Sequence, residues 1–187
     1  MLAAQKYGAV VIGYGLVGSQ NDGMRMLIRA RNFRGKLTLL ERDHRELANE
    51  PSRYNRFVSI GVHKYAGRGC NEKWIRSIDI GPRPGGIGLI SATLNMKKRP
   101  TNYCTIKHIV PGGYIPKLAE TLVLTEKYGL DARAIENLSY HYHCSVTQRL
   151  KIFETHRKRI HAIDPVRLDE KIRRAWLFYL GGRSRIL

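Results

Sequence analysis

Three places in this 187-residue sequence hold side chains of a kind and spacing that do chemistry. The first is Val10-Val11-Ile12 running into Gly13-Tyr14-Gly15-Leu16-Val17-Gly18, a GxGxxG spacing behind an apolar run. Lys36-Leu37-Thr38-Leu39-Leu40-Glu41 follows it as a second strand-like run closing on an acid. In a dinucleotide fold such glycines let backbone approach a pyrophosphate at a helix N-terminus, and the acid takes the ribose hydroxyl. The second place is His141, His143 and Cys144, side chains of metal-ligating type with no evident fourth partner. The third is a set of cations: Arg25, Arg29, Arg31, Arg149, Lys151, Arg157, Lys158, Arg173, Arg174, Arg183 and Arg185. Their forked guanidinium groups and point charges suit phosphate oxygens.

Each place has to be weighed against the element that would position it. The glycine motif needs a helix at its third glycine, and Ser19-Gln20-Asn21-Asp22-Gly23 is helix-breaking sequence. Glu41 also lies 28 positions after Gly13, beyond the usual interval of about twenty. Asn21-Asp22-Gly23 between apolar runs is the chemistry of a tight hairpin turn. The sequence therefore predicts a β-hairpin whose second strand, from Met24 to Arg31, carries Arg25 and Arg29 on the face of Leu27. The alternation of His141-Tyr142-His143 equally suits a half-buried strand, so no metal and no cofactor are expected. Glu41 and Asp43 stand among Arg42, His44 and Arg45 as a solvated, salt-bridged turn, and no GxSxG elbow surrounds Ser145. No catalytic constellation emerges, and an enzyme is not expected; a Rossmann-type dinucleotide binder using Gly13, Gly15 and Gly18 is the alternative.

The elements fall into three zones. Residues 1–40 alternate strand-like runs with Gly-rich turns. Residues 41–143 mix Gly- and Pro-rich loops, such as Gly81 to Gly86 and Pro111-Gly112-Gly113, with a helix predicted from Pro116 to Tyr128 and stopped by Gly129. Asp131 is placed to cap a short second helix reaching Leu138. Residues 144–187 are dense in charge, with a net +7 over positions 149–187, interleaved with Phe153, Trp176, Phe178 and Tyr179. These aromatics are read as core first and as base-stacking groups second.

Composition bounds the rest. With 43% hydrophobic residues the chain folds, as one domain or as one domain with a large insertion. No apolar run reaches the roughly eighteen residues a membrane span needs, no secretory signal opens the chain, and no membrane partner is expected. Cys70, Cys104 and Cys144, widely spaced and odd in number, exclude a disulfide framework. Thirty-three Lys and Arg against fifteen Asp and Glu leave a net charge of +18, and an excess of that size is most simply explained by a polyanionic partner.

At the C-terminus, Lys151-Ile152-Phe153-Glu154-Thr155-His156 is followed by Ile160 to Ile163, then by Ile172-Arg173-Arg174-Ala175-Trp176-Leu177-Phe178-Tyr179-Leu180 and Gly182-Arg183-Ser184-Arg185-Ile186. This order resembles the bacterial-type large-subunit ribosomal protein nineteen family. Gly8 to Ile12, the turn at Gly15 to Gly23 and Met26 to Ala30 resemble that family's opening strands. The resemblance covers about 75 residues at the two ends and leaves the zone between them without a family.

That resemblance implies a mainly β fold with an α+β insertion. Residues 1–40 and 144–187 would be halves of an SH3-like β-barrel, and residues 41–143 an insertion of loops, strands and one or two helices. It implies a structural, rRNA-binding constituent of the large ribosomal subunit lying near the intersubunit interface. The cations above would contact large-subunit rRNA, and neighbouring ribosomal proteins and small-subunit rRNA would be the other partners. The length of the insertion suggests a mitochondrial location, with a plastid as second choice.

Overall fold

Two strands with a helix between them dominate the first part of the chain. The computed structural model describes residues 1–33, 35–67, 69–97, 102–103, 105–110 and 113–184; Cys104, Pro111, Gly112 and Arg185 lie outside the described residues. After a short helix α1 (Leu2–Tyr7) come β1 (Val11–Tyr14), α2 (Gly18–Ala30) and β2 (Leu37–Leu40). β1 and β2 are parallel, with Val11 opposite Leu37 and Tyr14 opposite Leu40. Parallel neighbours need a crossover, and α2 provides it.

This overturns the expected hairpin. α2 begins at Gly18 and runs through Asn21-Asp22-Gly23. Three contacts offset the weak helix propensity of that stretch: Asn21 is buried with its Nδ2 donating to Gly15 O at 3.0 Å, Asp22 pairs with Arg25 at 2.8 Å one turn on, and Ile28 is buried. Packing outweighs propensity when a helix has a face to bury.

The chain then makes a 3₁₀ turn (His44–Asn49), β3 (Tyr54–Ile60), α3 (Asn71–Ile80) and β4 (Pro82–Ser91). β3 pairs with β4. The two run in the same direction, since Arg53 N donates to Gly81 O at their starts and Gly61 N to Ser91 O at their ends. The remaining helices are α4 (Leu118–Lys127), α5 (Ser139–Thr155), α6 (Arg157–Ile163) and α7 (Glu170–Ser184). α4 is the helix predicted from the spacing at 116–128, and Gly129 stops it at φ 70°, a left-handed value that glycine adopts without strain. The short helix predicted for 131–138 is absent, and those residues are exposed and irregular.

Contacts divide the chain into two compact units: residues 1–59 with 72–90, and residues 60–71 with 91–187. The first has Ala4, Ile28, Leu47, Trp74, Ile75 and Ile78 as its buried apolar residues. In the second, α5 packs on α7 and buries Val146, Ala175 and Leu180, while His63 and Pro116 are also buried.

The architecture is α/β with small parallel sheets, and the SH3-like barrel is overturned. A barrel needed strands at Met24 to Arg31 and through residues 144–184, and both regions are helical. The physical reason is periodicity. Val146, Leu150 and Phe153, and then Ile172, Ala175, Trp176, Tyr179 and Leu180, recur at three and four, which lays them along one helical face. His141 and His143, read as strand residues, belong to the first two turns of α5.

Candidate functional site

In the first unit, β1 leads into the glycine turn, the turn into α2, and β2 brings Glu41 back to the same end. Gly15 N donates to Leu40 O at 3.1 Å, so the turn is fastened to the end of β2. Val17 is the N-cap residue in extended conformation and no side chain caps α2. The first amide groups of a helix so built point outward as donors at the positive end of its dipole.

The three glycines do different work. A Cβ on Gly15 would stand 2.3 Å from Asn21 Oδ1, so Gly15 is required by the chain's own packing. On Gly13 a Cβ would make ordinary contact with Leu39 at 3.6 Å, and on Gly18 it would meet only Glu41 Oε1 at 3.8 Å. Protein packing therefore leaves Gly13 and Gly18 free to be larger residues. Their bare backbone is what a ligand lying across the turn would use, and Glu41 is within reach of that edge. Arg25 Nη2 lies 4.0 Å from Glu41 Oε2.

Tyr14, between the first two glycines, is tied down by a cluster that the sequence reading missed. Its phenol donates to Glu50 Oε2 at 2.8 Å and lies 2.9 Å from the Tyr54 hydroxyl, which donates to the same Glu50 oxygen at 2.5 Å. The other oxygen of Glu50 takes Arg53 at 2.7 Å and Arg42 at 3.3 Å. Hydrogen bonds from Tyr54 and Tyr14 hold the Glu50 carboxyl below its ordinary range. Burial, with Glu50 beside them, raises both phenols, so each stays a donor at neutral pH. Just beyond β2, Asp43 caps the 3₁₀ turn and is held at a pKa of about 2, mainly by its hydrogen bonds from Arg45.

The second unit contains a small open cavity of about 30 Å³, lined by Lys64, Thr93, Thr105, Tyr114, Tyr142 and Tyr179 among others. It has room for one water-sized group. Among the described residues no group of three His, Cys, Asp or Glu could hold a metal. No helix among them is long and apolar enough to cross a membrane.

The cations expected to contact phosphate are divided between the two units. Arg25, Arg29 and Arg31 belong to α2 and its end, with Arg25 paired to Asp22. Arg149 and Lys151 are exposed on α5, and Lys158 is exposed on α6. Arg157, Arg173 and Arg174 gather on one acid, Glu170, at 3.9, 2.5 and 3.1 Å. Arg183 lies in the last turns of α7. The aromatics expected as core come out divided. Trp176 packs on Phe153 and, edge to face, on Tyr179, whereas Phe178 is exposed. Gly13, Gly15, Gly18 and Glu41 were legible as a motif; Glu50 and Tyr54 carry no spacing signal.

The whole fold has solved relatives. The cyclopropane synthase MmaA2 from Mycobacterium tuberculosis matches 98% of this chain at 18% identity and a TM-score of 0.81. The mycolic acid cyclopropane synthase CmaA1, complexed with SAH and CTAB, matches 98% at 17% and 0.82. A Haemonchus contortus phospholethanolamine N-methyltransferase 2, in complex with phosphomonomethylethanolamine and S-adenosylhomocysteine, matches 98% at 15% and 0.73. The chain spans 67% of each of the two synthases and 42% of the N-methyltransferase. Identities this low establish the fold alone. No curated protein matches the chain.

These likenesses overturn the ribosomal reading. The similarity to ribosomal protein nineteen rested on short basic and apolar strings, of which Met26 to Ala30, Lys151 to Thr155, Ile160 to Ile163 and Ile172 to Leu180 form helices here, and the rRNA and ribosomal-protein partners go with it. So does the expectation of a non-catalytic, translational role, because the family whose model matches the chain is one of synthetases. The nucleotide-binding alternative named the right kind of fold. The family described as mycolic acid cyclopropane synthetase matches residues 1–186, and the chain belongs to that family.

Proposed function

We propose that the chain binds S-adenosylmethionine at the glycine turn between β1 and α2, and uses it to transfer one carbon to an acyl-chain substrate. The observation that carries this is the pair Gly13 and Gly18, which the protein's own packing does not require to be glycine, beside an uncapped helix start and the Glu41 carboxylate. Family membership and the adenosyl ligand of two structural relatives select the adenosyl cofactor over a dinucleotide.

The residues present fit that group. Gly13, Gly15 and Gly18 would hold its backbone-facing side, and Glu41 would accept its ribose hydroxyls, as an acid at the end of a second parallel strand does. Bound there, the cofactor supplies a methyl carbon on a sulfonium, open to attack by an electron-rich carbon. The protein's part is to hold and orient it; the donors are fixed by β1 and α2 before any ligand arrives, which lowers the ordering cost of binding.

Titration calorimetry with S-adenosylhomocysteine tests the reading, with NAD as the competing ligand. Gly18→Ala and Glu41→Ala should each weaken S-adenosylhomocysteine binding about tenfold or more, the ~1.4 kcal/mol expected for loss of one good contact. Gly18→Ala should leave the unfolding midpoint unchanged. Binding of NAD alone would return the dinucleotide reading, and binding of neither would refute the site.

A further inference from the structure

We infer that Glu50 and Tyr54 are positioning residues for the adenosyl cofactor, setting the glycine turn through Tyr14. The inference rests on the reading above and adds residues that no glycine motif contains. Tyr14 is the residue between Gly13 and Gly15, so wherever its ring is anchored, the backbone of the turn must follow.

The anchor is built with few options. Glu50 Oε2 accepts both phenols, while Glu50 Oε1 accepts from Arg42 and is ion-paired with Arg53. A carboxylate has about four lone-pair sites; three take hydrogen bonds here, and the Arg53 guanidinium stands 2.7 Å from Oε1. Glu50 is thereby excluded as the acid that takes the ribose, which leaves that role to Glu41, which meets Arg25 at 4.0 Å and no nearer ion-pair partner among the described residues. The four partners come from three segments: Tyr14 from the end of β1, Arg42 from just past β2, and Arg53 and Tyr54 from the start of β3. One half-buried carboxylate therefore couples three strand termini around the cofactor turn.

The two hydroxyls also stand 2.9 Å apart, in contact, with the single proton of each directed at Glu50 Oε2. Losing the Tyr54 hydroxyl removes a donor to Glu50 and a neighbour of Tyr14 in one step, while the ring and its packing remain. The turn then keeps its sequence and loses its anchor. Since Tyr14 and Tyr54 act through the same oxygen, removing the second hydroxyl should add little once the first is gone.

The test uses the full chain with Tyr54→Phe, Tyr14→Phe, the double variant and Glu50→Gln. Calorimetry gives the S-adenosylhomocysteine Kd, and hydrogen exchange reads the amides of residues 14–18. The inference expects each single variant to raise Kd five- to twentyfold, the double variant to be no worse than about twofold beyond the weaker single, and exchange at residues 14–18 to quicken while β3 keeps its protection. Unchanged Kd and exchange in all variants overturns it, as does multiplicative loss in the double variant. A lowered unfolding midpoint with unaltered Kd also overturns it, because that outcome makes the cluster a structural tie only. Wild-type chain that binds no S-adenosylhomocysteine sinks the cofactor reading itself, and this inference with it. Should Tyr54→Phe fail to fold, Tyr14→Phe, which leaves the Glu50–Tyr54 bond standing, decides the matter by the same readings.

Discussion

Gly15→Ala isolates the glycine that the fold itself demands. Gly15 is not in the left-handed region, so alanine meets no backbone strain there. What it meets is Asn21: the new Cβ would lie 2.3 Å from Oδ1, 3.3 Å from Cγ and 3.5 Å from Nδ2. Asn21 is 3% exposed and cannot swing into water. If it rotates away, its 3.0 Å bond to Gly15 O is lost and a buried carboxamide is left without that partner, about 1–3 kcal/mol. If it stays, the overpacking costs about 1–3 kcal/mol. A relaxed structure shares the two, giving a loss of about 2–3 kcal/mol. Asn21→Ala removes the obstacle, so Gly15→Ala introduced into that variant should cost under about 0.5 kcal/mol, a coupling of about 2 kcal/mol. Trp74, buried in the first unit, reports unfolding in a Trp176→Phe background, by urea titration followed through fluorescence. An equal cost of Gly15→Ala in both backgrounds, or a cost below about 0.5 kcal/mol in the first, would refute the packing argument.

Other expectations follow from the same reasoning. Gly13→Ala, which meets Leu39 at an ordinary 3.6 Å, should leave the Trp74 midpoint within about 0.5 kcal/mol and still weaken S-adenosylhomocysteine binding by calorimetry. His63 is buried and its pKa is driven down to about 4 by burial, from 6.5 unfolded. The folded state thus binds its proton later than the unfolded chain, so this stabilisation is complete above pH 6.5 and is lost as pH falls towards 4. The loss is at most about 1.4 kcal/mol per pH unit, and urea midpoints of wild type and His63→Gln across that window should diverge accordingly. Val146→Ala removes two buried methyl groups beneath α7 and should cost about 2 kcal/mol by the same titration followed through Trp176.

The sequence carried the strands and the motif better than it carried their context. The apolar runs ending at Tyr14 and Leu40, the GxGxxG spacing and the helix before Gly129 all stand in the structure. α2 was hidden because propensity is local, and the contact that rescues Ser19 to Gly23 is the Asn21 bond to Gly15, invisible until the strand and helix are packed. α5 and α7 were legible after all. Their residues at three- and four-residue spacing face one another, but a two-residue alternation at His141-Tyr142-His143 and a string resemblance took precedence. The Glu50 cluster is a different case. Its members lie 36 and 40 residues apart in pairing with Tyr14 and come together only through strand order, which spacing cannot disclose.

The net charge deserves its own correction, because it led to the wrong partner by a sound physical route. An excess of +18 does speak of association, but it carries no information about fold. Its distribution is the more telling quantity. The unit holding the glycine turn, residues 1–59 with 72–90, carries +6, and the unit without it carries +12. Within the first, Arg25, Arg42, Arg45 and Arg53 each stand beside a carboxylate, and two of them serve Glu50. Those arginines are structural ties around the turn, and counting them as free phosphate contacts double-counts their charge. A binding reading drawn from cations therefore has to subtract the acids each one already meets, and at this site the subtraction leaves the backbone of the turn, with Glu41, as the groups on which the proposed cofactor site rests.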